Sequence, residues 1–191
     1  LPDWTNSMVA AKGFSLEPKA MALLIDHIGN DLSRIENEVD KMLVNLGTRK
    51  QITEDDIEKY VGISKEYNSF ELQTALARKN LSRAIQIISY FESNPKAAPI
   101  QLVLPTLYNL FSKTYMIFGQ QATDERTVAT NIGVNPFFVK DYMLTAKNYG
   151  FNGTENALLL LHHYNLRSVG IHDAGTSDAS LLKEMVVKIM M

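Results

Sequence analysis

The sequence contains no cysteine. A disulfide framework, a thiolate nucleophile and a zinc site with thiolate ligands are therefore excluded. The absence of cysteine also fits a protein of the reducing cytoplasm, which is the compartment that we predict.

The sequence also lacks an excess of charge and long apolar runs. Its 19 Lys and Arg against 21 Asp and Glu give a formal net charge of −2, so bulk charge attracts neither nucleic acid nor an anionic membrane. No apolar run approaches the roughly 20 residues of a membrane-spanning helix, and no basic segment opens the chain as in a signal peptide. We therefore predict no membrane partner.

Because the chain begins with Leu1 and enters helical periodicity almost at once, we expect a fragment of a longer protein.

Most of the sequence has the apolar periodicity of α-helices. The clearest case is residues 29–43, GNDLSRIENEVDKML, which Asn30 or Asp31 can cap. The predicted apolar face of this helix consists of Leu32, Ile35, Val39 and Leu43. Sustained period-two alternation between hairpin turns is absent, so the predicted fold class is all-α.

The helices fall into two groups. Four short helices are predicted between residues 3 and 61: Asp3 caps the first, Thr53 begins the last, and Gly62 closes the group. Residues 46–52 are predicted to form a turn with one extended residue pair. Residues 63–69, ISKEYNS, break the periodicity, so we predict a small helical domain over residues 1–65 and a larger one over 66–191.

One predicted helix of the second group, residues 100–120, is apolar nearly all round, as helices at the centre of a bundle or in a subunit contact are. Pro105 should kink this helix or mark a late beginning. The sequence predicts further helices over residues 124–132, 136–149 with Asn135 as the cap, 154–170 and 178–190.

Residues capable of chemistry are few. His162 and His163 are adjacent, so on a helix they point about 100° apart and cannot chelate one metal ion together. Asp55 and Asp56 lie in the first turn of a helix, where carboxylates favour the helix dipole. The phosphate-binding and nucleophile motifs GxxxxGK[ST], GxGxxG and GxSxG are absent. We therefore predict no catalytic, metal or cofactor site.

A helix-turn-helix pattern offers an alternative function, a DNA-binding regulator of transcription. Ala129, Gly133 and Val139 have the spacing of that motif. The second helix, however, carries Phe and Tyr where a DNA reader presents Arg, Lys, Asn or Gln, and the charge of Lys140 is cancelled by Asp141.

The sequence resembles the delta subunit of the bacterial DNA polymerase III clamp loader. The resemblance comprises Trp4, Ala10 and Gly13, the segments IGNDLSRIENEVDKM and ITEDDIEKYVGISKEYNSFEL, and the later IGVNPFFVKDYMLTAK and LRSVG…SDASLLKEMVVKI. It covers essentially the whole chain in order, and residues 29–41 are its most specific part.

The resemblance implies a fold and a role. It implies an AAA+-type lid of helices, then an all-helical collar, with the family's N-terminal AAA+ domain missing. The partners it implies are the ATPase subunits and delta-prime, the sliding clamp through the missing domain, and primed DNA in the full complex. The implied role is a scaffold without chemistry of its own in the loader that opens the clamp and places it on DNA.

Two expectations about residues follow from the resemblance. In ATP-hydrolysing AAA+ relatives, the lid helix after the glycine that corresponds to Gly29 starts with a phosphate-sensing arginine; here that place falls near Leu32 and Ser33, and Arg34 faces elsewhere. The collar should contact neighbouring subunits. Its candidate interface residues are Tyr108, Phe111, Tyr115, Phe118, Leu181 and Met185.

Overall fold

A computed structural model describes residues 1–95, 98–122, 124–173 and 175–191. The described residues form ten α-helices and two strands of two residues each, which confirms the all-α prediction. They divide into two compact units, Leu1–Asn68 and Ser69–Met191. No helix of the described residues is both long enough and apolar enough to span a membrane.

The first unit contains four helices and a minimal parallel sheet. Its elements are α1 (Pro2–Ala11), β1 (Ser15–Leu16), α2 (Pro18–Ile28), α3 (Leu32–Asn45), β2 (Gln51–Ile52) and α4 (Glu54–Val61). Ser15 pairs with Gln51 and Leu16 with Ile52. The extended pair at residues 51–52 lies where the sequence predicts one, whereas its partner β1 has no period-two signal because it is only two residues long.

Side chains cap the third and fourth helices of this unit. The Asp31 carboxylate accepts a hydrogen bond from the Arg34 backbone N–H at 3.0 Å, which confirms one of the two predicted caps. Gly62 ends α4 with a left-handed φ of 83°. The prediction for Asp3 is wrong: α1 begins at Pro2 with Leu1 as its cap residue, and Asp3 lies in the first turn.

The apolar face of α3 is displaced from the predicted one. Ile35, Val39 and Met42 are fully buried, whereas Leu32 is exposed and Leu43 only half-buried. At about 100° per residue, Leu32 and Leu43 lie roughly 60–80° around the helix from Ile35, at the edge of the face. The predicted apolar face is therefore right at Ile35 and Val39, but Leu32 and Leu43 extend it beyond the edge of the buried face.

The described residues of the second unit form a bundle of six helices. Its elements are α5 (Ser69–Ala77), α6 (Leu81–Ser93), α7 (Ile100–Ile117), α8 (Glu125–Ile132), α9 (Val139–Ser168) and α10 (Asp178–Met190). Helix α7 packs along α9, α5 packs on α6, α7 and α9, and α10 packs on α6 and α9. Helix α7 begins five residues before Pro105, so the alternative of a late beginning at this proline is wrong.

Helix α9 differs from the two helices that the sequence predicts. It runs from Val139 to Ser168, but Gly150 has a non-helical conformation (φ 63°, ψ −177°), so two helical segments meet there at a kink. The helix also begins three residues later than predicted. The Asn135 side chain accepts a hydrogen bond from the Phe137 N–H at 2.9 Å, which caps a turn before the helix rather than the helix itself.

Candidate functional site

The two adjacent histidines lie on the surface of α9. His162 and His163 are both exposed on α9, and the described residues contain no group of three His, Asp or Glu side chains that could hold a metal ion. His27 is half-buried on α2, and burial lowers its pKa, with Arg34 contributing in the same direction.

The adjacent carboxylates of α4 have separate partners. Asp56 is buried and accepts two hydrogen bonds from the Arg49 guanidinium, and Asp55 is exposed with Lys65 Nζ 2.7 Å from its Oδ1. The bonds from Arg49, together with those from Thr53, lower the pKa of Asp56 despite its burial. These bonds keep Asp56 in its charged form and stabilise the start of α4.

The predicted helix-turn-helix has a left-handed turn, but its second helix buries an aromatic side chain that the motif would have to present. Gly133 ends α8 with φ 63°, and Lys113 of α7 donates hydrogen bonds to the carbonyl oxygens of Ile132 (2.6 Å) and Gly133 (2.9 Å). Tyr142 in the second helix is buried, so it is unavailable to DNA bases. Lys140 has Glu125 at 3.9 Å, which weakens its attraction for phosphate.

The position at which the resemblance implies a phosphate-sensing arginine in AAA+ relatives is an exposed helix start in this chain. Leu32 and Ser33 are exposed at the beginning of α3, and neither side chain carries a positive charge. Arg34 lies in the same turn, where its backbone N–H bonds to Asp31.

The six candidate interface residues divide into a surface group and an interior group. Tyr108 is 58% exposed, and Tyr115 and Phe118 are each 37% exposed. Phe111, Leu181 and Met185, by contrast, are buried within their own unit and present no side chain to a neighbour. The all-round apolar character of the 100–120 segment thus arises from an interior face and a surface face on one helix.

Tyr115 and Phe118 belong to an aromatic surface that also includes Phe151. The ring centroids of Tyr115 and Phe151 are 5.0 Å apart, and those of Phe118 and Phe151 are 5.7 Å apart with nearly perpendicular planes. Such spacings are favourable for aromatic pairs. Phe151 follows the kink at Gly150, so sequence periodicity could not have placed it beside α7.

Tyr108 lines a shallow groove between α7 and the second segment of α9. The groove has a volume of about 290 Å³, and Leu104, Pro105 and Leu161 supply its apolar lining, with His162 and Asn165 at its polar side. Tyr108 precedes Tyr115 by two helical turns, or about 10 Å, so both residues lie on the same side of α7.

A charged cluster that the sequence pattern does not reveal orders the C-terminal part of the unit. Arg167 contacts Asp173 and Glu184, each at 2.8 Å, and Glu184 also contacts Lys188 at 2.7 Å. The hydrogen bonds from Lys188 and Arg167 lower the pKa of Glu184 to about 2. The cluster joins α9, the following loop and α10, so it has a structural role.

The chain is similar to known proteins both in sequence and in structure. No family model matches the chain. The chain is 26% identical over 188 residues to DNA polymerase III subunit delta of Bacillus subtilis (strain 168), covering 96% of this chain and 52% of that protein. Its structure is similar to that of the Bacillus subtilis DNA clamp loader delta protein, with a TM-score of 0.59, 22% identity, and coverage of 99% of this chain and 55% of the other.

These comparisons confirm the resemblance that the sequence indicates. The chain is similar to the delta subunit of the clamp loader. It spans about half the length of the curated relative that it matches. The solved structure is less than 25% identical to this chain in sequence, so this likeness is evidence for the fold alone.

Proposed function

We propose that the chain is the lid and collar part of a clamp-loader delta subunit. The observation that supports this function best is a match to one delta subunit along nearly the entire chain, accompanied by the same fold. In this proposal the four-helix unit is an AAA+-type lid and the six-helix unit is the collar.

The proposed role is that of a scaffold. The collar holds delta in a five-subunit loader beside the ATPase subunits and delta-prime, and the loader opens the sliding clamp and places it on primed DNA in the cytoplasm. Clamp contact belongs to a further N-terminal domain. The exposed start of α3, without a cation at Leu32 or Ser33, supports a subunit that does not sense ATP.

The proposed contact with neighbouring subunits is the aromatic surface of Tyr115, Phe118 and Phe151, extended by Tyr108. Exposed aromatic side chains are enriched at protein interfaces, where they combine a large apolar area with few rotatable bonds. Phe111, Leu181 and Met185 are buried in the interior of the unit, so the proposed contact does not include them.

Reconstitution tests the proposal. The chain is mixed with the ATPase subunits and delta-prime of the same organism, and the mixture is analysed by size-exclusion chromatography with light scattering. We expect one copy of the chain in a five-subunit complex. A chain that stays monomeric with these subunits, but binds one duplex sequence tightly on its own, would instead support the helix-turn-helix regulator.

A further inference from the structure

Positive charge without acidic neighbours in sequence accumulates where α5 turns into α6. Residues 72–91 include Arg78, Lys79 and Arg83 but no Asp or Glu. Residues 142–154 of α9 likewise include Lys147 and no acidic residue. The two segments together thus carry four cations and no acidic residue, whereas the whole chain has a net charge of −2.

Two hydrogen bonds attach the turn to α9. Asn148 Nδ2 donates to the Ala77 carbonyl at 2.7 Å, and the Tyr149 hydroxyl donates to the Leu76 carbonyl at 2.8 Å. Lys147 directly precedes these two donors, and Arg78 directly follows the acceptors. The exposed cations Arg78, Lys79 and Lys147 therefore lie on two segments that these bonds hold together, a region that we call the basic corner.

Lys79 adopts a backbone conformation that favours glycine. Its φ is 52°, in the left-handed region, whereas α4 and α8 end with Gly62 and Gly133 in the same region. A residue with a Cβ atom costs about 1 kcal/mol more than glycine there. The Lys79 ammonium lies 4.7 Å from the centroid of the Tyr149 ring, a contact that offsets part of this cost and holds the charge at the surface.

The other two cations are available to a ligand. Arg78 and Lys147 are exposed and make no ion pair with any other residue that the structure describes. Each of the two nearby amides has one end engaged, because Asn80 Oδ1 accepts from the Arg83 N–H and Asn148 Nδ2 donates to the Ala77 carbonyl. The corner therefore offers mainly positive charge, which suits phosphate groups better than base edges.

We infer that the basic corner binds the phosphate backbone of DNA without reading its sequence. The choice of DNA over other phosphate polymers rests on the proposed function, in which the loader encounters primed DNA. Arg78 and Lys147 would each contact a phosphate, and Lys79 would add charge between them while Tyr149 orients its side chain.

The test uses Arg78→Gln, Lys147→Gln and the double variant in the reconstituted loader. Fluorescence anisotropy with labelled primed DNA, between 50 and 200 mM salt, gives the Kd and its salt dependence. Each lost phosphate contact should lower the slope of log K against log salt by roughly 0.9 on duplex DNA, so the double variant should lose roughly 2 and bind more than tenfold more weakly at 0.1 M salt. An unchanged slope in the double variant overturns the inference.

Arg126→Gln is the matched control, because Arg126 is an exposed arginine of the same unit, on α8. We expect it to change neither the Kd nor the slope; a loss equal to that of Arg78→Gln would overturn a defined site at the corner. Lys79→Gly provides a second comparison. It removes the charge and the backbone strain together, so DNA affinity should fall while the Tm stays equal or rises.

Two further readouts separate this inference from the proposed function. Every variant is analysed for assembly by size-exclusion chromatography, and we expect normal complexes. If the parent chain fails to assemble, the proposed function fails; if it assembles and the double variant binds DNA normally, only the basic corner fails. Equal affinity for an RNA of the same length, lost in the same variants, would overturn the choice of DNA.

Discussion

Arg49 and Asp56 form a bidentate ion pair in the first unit, with Nη1 3.0 Å from Oδ2 and Nη2 2.6 Å from Oδ1. The same carboxylate accepts hydrogen bonds from the backbone N–H (2.9 Å) and hydroxyl (3.0 Å) of Thr53. Asp56 thus joins the loop before β2 to the start of α4. An isolated buried carboxylate would be unfavourable, but this one has partners for both oxygens.

The neighbouring carboxylates Asp55 and Asp56 provide a matched stability test. Asp56→Asn removes the charge and one acceptor while leaving the Arg49 guanidinium in place, so we expect a loss of about 1–3 kcal/mol in the free energy of unfolding. Asp55→Asn should change it by less than about 0.5 kcal/mol, because Asp55 forms an exposed pair with Lys65. Urea titration measures both. Trp4, the single tryptophan of the chain, lies in the same unit and reports its unfolding. Equal losses in the two variants would contradict the assigned roles.

The lowered pKa of Asp56 predicts a pH dependence of stability. The unfolded chain binds a proton at Asp56 at higher pH than the folded chain does, so the stabilisation is complete above the ordinary pKa of about 4. It is lost as the pH falls through the lower pKa of the folded state. Urea titrations at pH 7, 5, 4 and 3, followed by Trp4 fluorescence, should show a smaller loss for Asp56→Asn than for the parent. Parallel curves would contradict the prediction.

Local features of this structure could be predicted from the sequence better than contacts between distant segments. The cap at Asp31 and the helix end at Gly62 follow from chemistry within three or four residues, and both predictions are confirmed. Gly133 likewise ends α8, in the left-handed conformation that glycine favours. The buried face of α3 was predicted less well, since Leu32 and Leu43 satisfy the period while lying at the edge of the stripe.

Features that join distant segments could not be read from periodicity. The apolar pattern of α7 contains no information on which side meets α9, so Phe111 and Tyr115 looked equivalent although one is interior and the other exposed. The pairing of Phe151 with Tyr115, and the attachment of the α5–α6 turn to Asn148, depend on the kink at Gly150 and on packing over more than thirty residues of chain.

Trypsin should cleave the chain first at Lys65. This exposed residue lies in the connection between α4 and α5, where backbone outside the helices is more accessible to a protease. Lys113 is the internal comparison, because its half-buried side chain is held by the carbonyls of Ile132 and Gly133. Mass spectrometry of early digests identifies the sites. Initial cleavage after Lys113 would contradict the predicted division near residue 65.

The chain should bind ATP neither alone nor with magnesium. The sequence lacks a phosphate loop, and the exposed start of α3 provides no cation at Leu32 or Ser33. Calorimetric titration with ATP and magnesium should give no heat of binding. Micromolar affinity would contradict this prediction, and Leu32→Arg tests whether a cation at this place is sufficient to create it.

Substitutions along α7 should separate assembly from folding. Tyr115→Glu and Phe118→Glu place a charge on the aromatic surface, where each ring is partly exposed in the isolated chain. We expect only a modest fall in Tm, from the lost contact with Phe151. Leu107→Glu places a charge in the fully buried interior and should unfold the second unit. Gln101→Glu adds the same charge at an exposed position near the start of α7 and serves as the control.

The decisive measurement is affinity for the partner subunits, determined by analytical ultracentrifugation beside a melting curve for each variant. An aromatic side chain buried at an interface contributes roughly 1.5–3 kcal/mol, so Tyr115→Glu and Phe118→Glu should each weaken association about tenfold or more. Gln101→Glu should leave association unchanged, since it adds charge away from the aromatic surface. If Tyr115→Glu and Phe118→Glu lower the Tm as Leu107→Glu does, their rings act mainly in folding through Phe151. If they alter neither Tm nor association, the subunit contact lies on another face of the bundle.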